Sequence, residues 1–159
     1  IGFIESPGHL PTLESEICCD DELQVVCSPS FPLAKLKTVS PKQLLNLPYI
    51  SRESGSGSRE FTEAYLQNAG LSIDDLNLVM EMGSPVSLNG VVETGLGFAI
   101  ASRASIVKAH KLGILVAIPL KPKLIRTLTM VSPKQKFRSK LVVTFVEFAS
   151  AGMKRFVAA

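Results

Sequence analysis

Residues 49–59 read Tyr-Ile-Ser-Arg-Glu-Ser-Gly-Ser-Gly-Ser-Arg. A strand-like start, Tyr49-Ile50, runs into a Ser/Gly loop, and the loop opens a helical pattern. Phe61, Ala64, Tyr65 and Ala69 recur at helical spacing, and Gly70 stands at the C-terminal stop position. The same step recurs downstream. Asn77–Met82 (NLVMEM) reads as a strand, and Ser84-Pro85 as a capped helix start. Leu88, Val91 and Val92 give that helix its buried stripe, and Gly95 ends it. Gly97–Ala101 (GFAIA) is a further strand, short and continuously apolar, as in a sheet covered on both faces. Strands that alternate with helices over short connections predict an α/β fold with a mostly parallel sheet.

Working outward, Ile1–Glu5 and Glu22–Ser28 (ELQVVCS) are strand-like, the second ended by Pro29 and Pro32. Ser40-Pro41 starts a brief helix that Pro48 halts. Ser102–Lys111 is a weaker helix, and Ile114–Leu120 and Thr127–Val131 are strands. Ser139 to about Phe156 closes the chain as a helix with Leu141, Phe145 and Phe148 on one face. Its Val142-Val143-Thr144 run lowers intrinsic helix propensity, so packing must hold it.

The chain has 159 residues, 46% hydrophobic and 19% charged. That excludes a disordered tail, a fibre and a coiled coil. No stretch approaches the roughly 18 apolar residues of a membrane span. Three Cys, two of them adjacent (Cys18 and Cys19), make no disulfide framework; a reducing compartment, the cytoplasm, is the natural reading. The chain opens at Ile1 with no leader pattern and reads as a piece of something longer. Charge is asymmetric. Residues 1–81 hold twelve acidic and five basic side chains, whereas 94–146 hold ten Lys/Arg and no acid. Lys121, Lys123, Arg126, Lys134, Lys136, Arg138 and Lys140 have a single aromatic residue among them, Phe137, too few for a base-stacking platform, and read as a solvated basic face.

The chemistry-bearing residues point to binding rather than catalysis. His9, His110, Cys18, Cys19 and Cys27 lack the paired spacing of metal ligands, so no metal and no cofactor is expected; Cys27 reads as a packed small hydrophobe. Ser54-Gly55-Ser56-Gly57 is not a nucleophile elbow, which needs Gly-x-Ser-x-Gly. His110 has no nearby carboxylate in sequence to orient it. Asp20-Asp21-Glu22 and Asp74-Asp75 read as solvated turn residues. No catalytic residue is assigned, and the chain is not expected to be an enzyme. The loop 53–59 and the Ser84-Pro85 turn are different. Each follows a strand and opens a helix, where unpaired N–H groups welcome an anion and Ser hydroxyls add donors. Ordinary N-capping is the alternative reading of these serines.

Five passages in order resemble the effector-binding domain of LysR-type transcriptional regulators. They are Ile1-Gly2-Phe3-Ile4; Asp21-Glu22-Leu23-Gln24-Val25-Val26 with Phe31-Pro32-Leu33-Ala34; Leu47-Pro48-Tyr49-Ile50 with Arg52–Arg59; Met80-Glu81-Met82-Gly83-Ser84; and Val92–Ile100 with its Gly95-Leu96-Gly97. The resemblance implies a two-lobed periplasmic-binding-protein-like (type 2) α/β fold, the second lobe complete and the first partial. Residues 27–126 would form lobe II, and 1–26 with 127–159 the partial lobe I, with hinge strands near Val25 and Met130. A small, often anionic effector would lie between the lobes. On the lobe II side it would meet Ser51, Arg52, Ser54, Gly55, Ser56, Gly57, Ser84 and Val86, with Arg52 available to a ligand carboxylate. The family's winged helix-turn-helix is absent from these residues, as is the opening part of lobe I. DNA would be a partner only through that missing N-terminal domain, and a homo-oligomer, dimer or tetramer, is expected. A solute-binding protein of a transporter, with the same fold, is the alternative.

Overall fold

The computed structural model describes residues 1–5, 11–134 and 139–158. In chain order the elements are β1 (Gly2–Ile4), β2 (Leu13–Cys27), β3 (Pro48–Arg52), α1 (Gly57–Asn68), β4 (Asn77–Met82), α2 (Pro85–Glu93), β5 (Ala99–Ser102), α3 (Val107–Lys111), β6 (Val116–Pro133) and α4 (Lys140–Ala158). Short 3-10 turns cover Pro32–Lys35, Pro41–Leu44, Ile73–Asp75 and Arg103–Ile106. The chain divides into two compact units, Ile1–Asp21 with Ile125–Ala159, and Glu22–Leu124. Only β2 and β6 run through both. No described helix is long and apolar enough to cross a membrane.

In the 22–124 unit, successive strand residues point to opposite faces, and each face is apolar. Leu23, Val25, Tyr49, Phe98 and Ile100 join one core cluster with Tyr65 and Leu66 of α1. Val26, Ile50, Ala99 and Ala101 join the other with Leu88 and Val92 of α2. This is why residues 97–101 carry no polar alternation: the strand is covered on both sides. Burying each large side chain contributes about 1.5–3 kcal/mol. Of the helical stripe predicted for α1, Tyr65 is buried and Phe61 half-buried, but Ala64 is exposed; Thr62 and Leu66 take the inner positions instead.

β3 lies parallel to β4, with Arg52 opposite Met82. On its other side Phe98 N–H donates to the Pro48 carbonyl oxygen at 2.9 Å and Ile50 N–H to the Phe98 oxygen at 2.8 Å. Gly97 makes that approach possible: a Cβ there would sit 2.5 Å from the Pro48 oxygen. Gly95, at φ +81°, turns the chain out of α2 toward it. The expected mostly parallel sheet is in fact mixed. β5 is antiparallel to β2 (Leu23 opposite Ser102, Val26 opposite Ala99), and β1 is antiparallel to β6. Strand–helix–strand steps fix the parallel pairs locally, but β2 and β5 meet across a long stretch of chain.

The other unit corrects further expectations. β2 begins at Leu13, so Asp20-Asp21-Glu22 belongs to a strand rather than a turn, and Asp21 is only 3% exposed. The two strands read at 114–120 and 127–131 are one, β6. Pro119 and Pro122 do not break it because the groups used there are acceptors: Val39 N–H donates to the Pro119 oxygen and the Tyr65 hydroxyl to the Pro122 oxygen. Arg126 is buried and ion-paired, so it leaves the expected basic face. Lys136, Arg138 and His9 lie outside the described residues. In α4, Val142, Val146, Ala149 and Met153 are the half-buried stripe, while Leu141, Phe145 and Phe148 are exposed.

Candidate functional site

The parallel pairing of β3 and β4 brings the two serine-bearing turns to the same end of adjacent strands. Glu53 N–H and Arg52 Nε both donate to the Met82 carbonyl oxygen, each at 3.2 Å. From that junction residues 53–56 lead into α1 and residues 83–84 into α2. Arg59, on the first turn of α1, fastens the pair. It donates to the Arg52 carbonyl oxygen, to Glu63 and to Glu81 of β4. These carboxylates, Glu63 first, hold the Arg59 pKa up.

The eight expected residues fall into distinct positions. Ser54 and Gly55 form the exposed tip, with Gly55 at φ +82°. Ser56 is the N-cap residue of α1, 8% exposed, and its side chain makes no capping bond; Gly57 is the first helical residue. Ser84 caps α2: its Oγ accepts from Ser87 N–H at 3.1 Å and donates to Ser87 Oγ at 2.9 Å. Val86 is 82% exposed beside it. Ser51 is buried beneath the turn, 1% exposed, with no well-aligned hydrogen bond to its Oγ. Burial raises the pKa of the neighbouring Tyr49 phenol, partly offset by the Ser51 and Thr62 hydroxyls. Arg52 forks onto Glu53, with Nε–Oε2 2.7 Å and Nη2–Oε1 2.8 Å. Its guanidinium is therefore held by the loop itself, and that bond keeps the Glu53 carboxyl below the usual range.

Chemically this edge presents hydroxyls and the open first turns of two helices, whose N–H groups have no partner within the helix. Both guanidiniums are engaged with carboxylates. Among the described residues, no three His, Cys, Asp or Glu side chains are placed to hold a metal ion. His110, on α3, is exposed, with Nδ1 3.2 Å from the Leu115 oxygen. Cys27 is fully buried in the apolar core, as its sequence setting predicts. Asp74 and Asp75 lie in an exposed 3-10 turn, also as expected. Sequence reasoning missed Arg59 as the fastener, although Arg59 and Glu63 at i,i+4 carry a helix-pair signal. A separate concavity of about 260 Å³ lies in the other unit, lined by Glu14, Ser15, Glu16, Met130, Ser132 and Val146. It includes none of the expected residues.

Comparison with known proteins agrees with this architecture. The chain is 37% identical over 150 residues to an uncharacterized HTH-type transcriptional regulator, YeiE, of Escherichia coli K12, covering 93% of this chain and 50% of that protein. It thus spans about half the length of that relative. Its fold is similar to the CcmR regulatory domain of Synechocystis, solved in complex with 2-PG (TM-score 0.83, 21% identity, 96% of this chain and 72% of that one). It is also similar to the effector-binding domain of QuiR, solved with shikimate (TM-score 0.79, 19% identity, 96% and 71%). Both likenesses show the fold alone, a mixed α/β one. The sequence model of the LysR substrate binding domain matches residues 1–154, nearly the whole chain, and the chain belongs to that family.

Proposed function

We propose that this chain is the ligand-sensing part of a transcription regulator, and that it holds a small, anion-bearing effector against the β3–α1 and β4–α2 turns without transforming it. The observation that carries this reading is the junction of Arg52 with Met82, which sets two Ser-bearing helix starts side by side. Ser54, Ser56 and Ser84 supply hydroxyls, and the backbone at Gly55 and Gly57 comes close to the ligand. Val86 offers an apolar lip. Ser51 lies beneath, and Arg52, held by Glu53, sets the shape of the loop. Two solved relatives of the same fold hold small molecules, 2-PG and shikimate. No general base stands among these residues, which favours binding over catalysis.

Residues 27–126 act as lobe II and residues 1–26 with 127–159 as part of lobe I. In the whole protein a winged helix-turn-helix carried outside these residues reads DNA, the protein works in the cytoplasm, and it self-associates as a dimer or tetramer. Effector binding favours one conformation of the sensing part and so shifts the arrangement of the DNA-binding domains.

A thermal-shift screen with small carboxylates, phosphates and nucleosides, 2-PG and shikimate among them, finds the effector class. Calorimetric titration of the hit against Ser54→Ala, Ser56→Ala and Ser84→Ala then tests the site. Losing a hydrogen bond to the ligand weakens binding about fivefold or more. Unchanged affinity in all three variants removes the site.

A further inference from the structure

Arg52 ends β3 at the junction of the two serine-bearing turns, where its guanidinium would offer a ligand carboxylate a two-pronged partner. That fork is already filled. Glu53 meets it through two bonds side by side, Nε–Oε2 at 2.7 Å and Nη2–Oε1 at 2.8 Å. This is the bidentate geometry by which a guanidinium recognises a free carboxylate. Glu53 is the next residue in the chain, so its carboxylate is present at the fork at high effective concentration, and an external one has to displace it. Hydrogen bonds from Arg52 also hold the Glu53 carboxyl below its usual range, so the occupant is an anion at neutral pH.

The two partners are not equally fixed. The Arg52 side chain is 16% exposed and that of Glu53 38%, which makes the carboxylate the outer member. The guanidinium is tied to β4 as well, through the Met82 carbonyl oxygen. Among the described residues Glu53 bonds no side chain but Arg52. The carboxylate is therefore the member that can leave. Arg59 offers no alternative fork, since Glu63 and Glu81 take it. A partly exposed ion pair is a weak source of stability, so stapling the loop is a poor account of a two-bond contact at this point.

We propose that Glu53 determines the specificity of the site: its carboxylate fills the Arg52 fork as an internal stand-in for a ligand's carboxylate. A carboxylate that seeks the guanidinium binds by displacing Glu53. A ligand whose charge is met by the serine hydroxyls and helix N–H groups binds without that cost. This assignment rests on the β3–α1 and β4–α2 turns being the ligand site.

The test reads Arg52 directly. Acetate is titrated into the 159-residue chain and into its Glu53→Ala variant at neutral pH, and the Arg52 Nε–H resonance is followed by nuclear magnetic resonance. Acetamide, and sodium chloride at matched ionic strength, are the controls; circular dichroism and melting confirm the fold. Glu53→Ala is expected to bind acetate about tenfold more tightly than the parent, with a saturating shift of the Arg52 resonance and no response to acetamide. Arg52→Lys/Glu53→Ala keeps the charge without the fork and should return acetate binding to the parent's level, read from the backbone amides of residues 53–57. If Glu53→Ala does not fold, Glu53→Gln decides, with an expected gain of about threefold because a neutral amide competes more weakly than a carboxylate. Equal acetate affinity in the parent and the folded variant overturns the proposal. So does an equal response to chloride, or a gain that survives Arg52→Lys, because charge alone then explains it. Either result leaves the serine site standing. Unchanged effector affinity in the three serine variants removes that site instead, and does so without altering the acetate titration at Arg52.

Discussion

Arg52 and Met82 stand opposite one another at the carboxyl ends of two parallel strands, and Arg52 Nε donates to the Met82 carbonyl oxygen at 3.2 Å. The same guanidinium is gripped by Glu53. Hydrogen bonds from Arg52 are the main cause of the lowered Glu53 pKa. A carboxyl depressed in the folded state stabilises above its unfolded pKa, about 4.3, and the contribution is lost as pH falls through the folded value. Glu53→Gln should therefore be less stable than the parent at pH 6, with the difference closing below about pH 4. The pair is partly exposed, so added salt should shrink the difference too. Urea melts across pH measure it; a gap that persists unchanged at pH 3 would show that charge is not its origin.

Two glycines separate tight packing from conformational freedom. A Cβ at Gly97 would meet the Pro48 carbonyl oxygen at 2.5 Å, and backbone cannot yield as a flexible side chain does. Gly97→Ala should cost about 1–3 kcal/mol. Gly90, within α2, has open space where a Cβ would go. Gly90→Ala should stabilise by about 0.4–1 kcal/mol by restricting the unfolded chain. Denaturant midpoints of the two variants should move in opposite directions, and a shift of the same sign in both contradicts this account.

The parts of the fold that were legible in the sequence are those whose causes are local. Ser84-Pro85, Gly95 and the apolar run at 97–101 each name their own structure, because capping, positive φ and two-sided burial leave a mark within a few residues. The two turns were legible for the same reason, but their adjacency comes from the parallel pairing of β3 with β4, which the structure supplies. The antiparallel pairing of β2 with β5 was not, nor was the burial of Asp21, because each depends on a residue far along the chain: Ala99 for Val26, and Arg126 for Asp21. An acidic triplet with a distant basic partner looks in sequence like a solvated turn. In α4, Phe145 and Phe148 invited reading as the packed face, but the neighbouring Val142–Val146–Ala149 stripe takes that place.

The serines of the site should differ in what they do for stability. Ser84 Oγ satisfies an N–H at the start of α2, so Ser84→Ala should cost about 1 kcal/mol. Ser54 is exposed at the loop tip, and Ser54→Ala should stay within about 0.5 kcal/mol. Thermal melts without ligand establish these baselines before any affinity is compared. An equal loss in both would show that Ser84 does not act as a cap.

Alkali should destabilise the 22–124 unit. Burial pushes the Cys27 thiol up to about 11 and raises the Tyr65 and Tyr49 phenols. A group whose folded pKa is raised stabilises fully below its unfolded value and loses that contribution as pH climbs through the folded one. For Cys27 the window runs from about 8.5 upward. Stability should therefore decline steadily above pH 9, and Tyr65→Phe should soften the part above about pH 10. Iodoacetamide at pH 8 should modify Cys19, which is partly exposed, well before Cys27. Prompt labelling of Cys27 in the folded protein would mean that its surroundings open far more readily than this packing implies.

Leu141 and Phe148 are 80% and 76% exposed, although α4 is apolar enough to suggest that both are core. Truncation matters where contacts are lost, and an exposed side chain has few to lose. Within the 159-residue chain, Leu141→Ser and Phe148→Ser should each stay within about 0.5 kcal/mol of the parent. Leu66→Ala, at a fully buried position on the inner face of α1, should cost about 2–5 kcal/mol. The exposed pair should instead change solubility, because Leu141, Phe145 and Phe148 place three large apolar groups on one helix surface. Light scattering against concentration should show less self-association in Leu141→Ser/Phe148→Ser at unchanged melting temperature. A large fall in melting temperature would mean that these side chains are packed in solution.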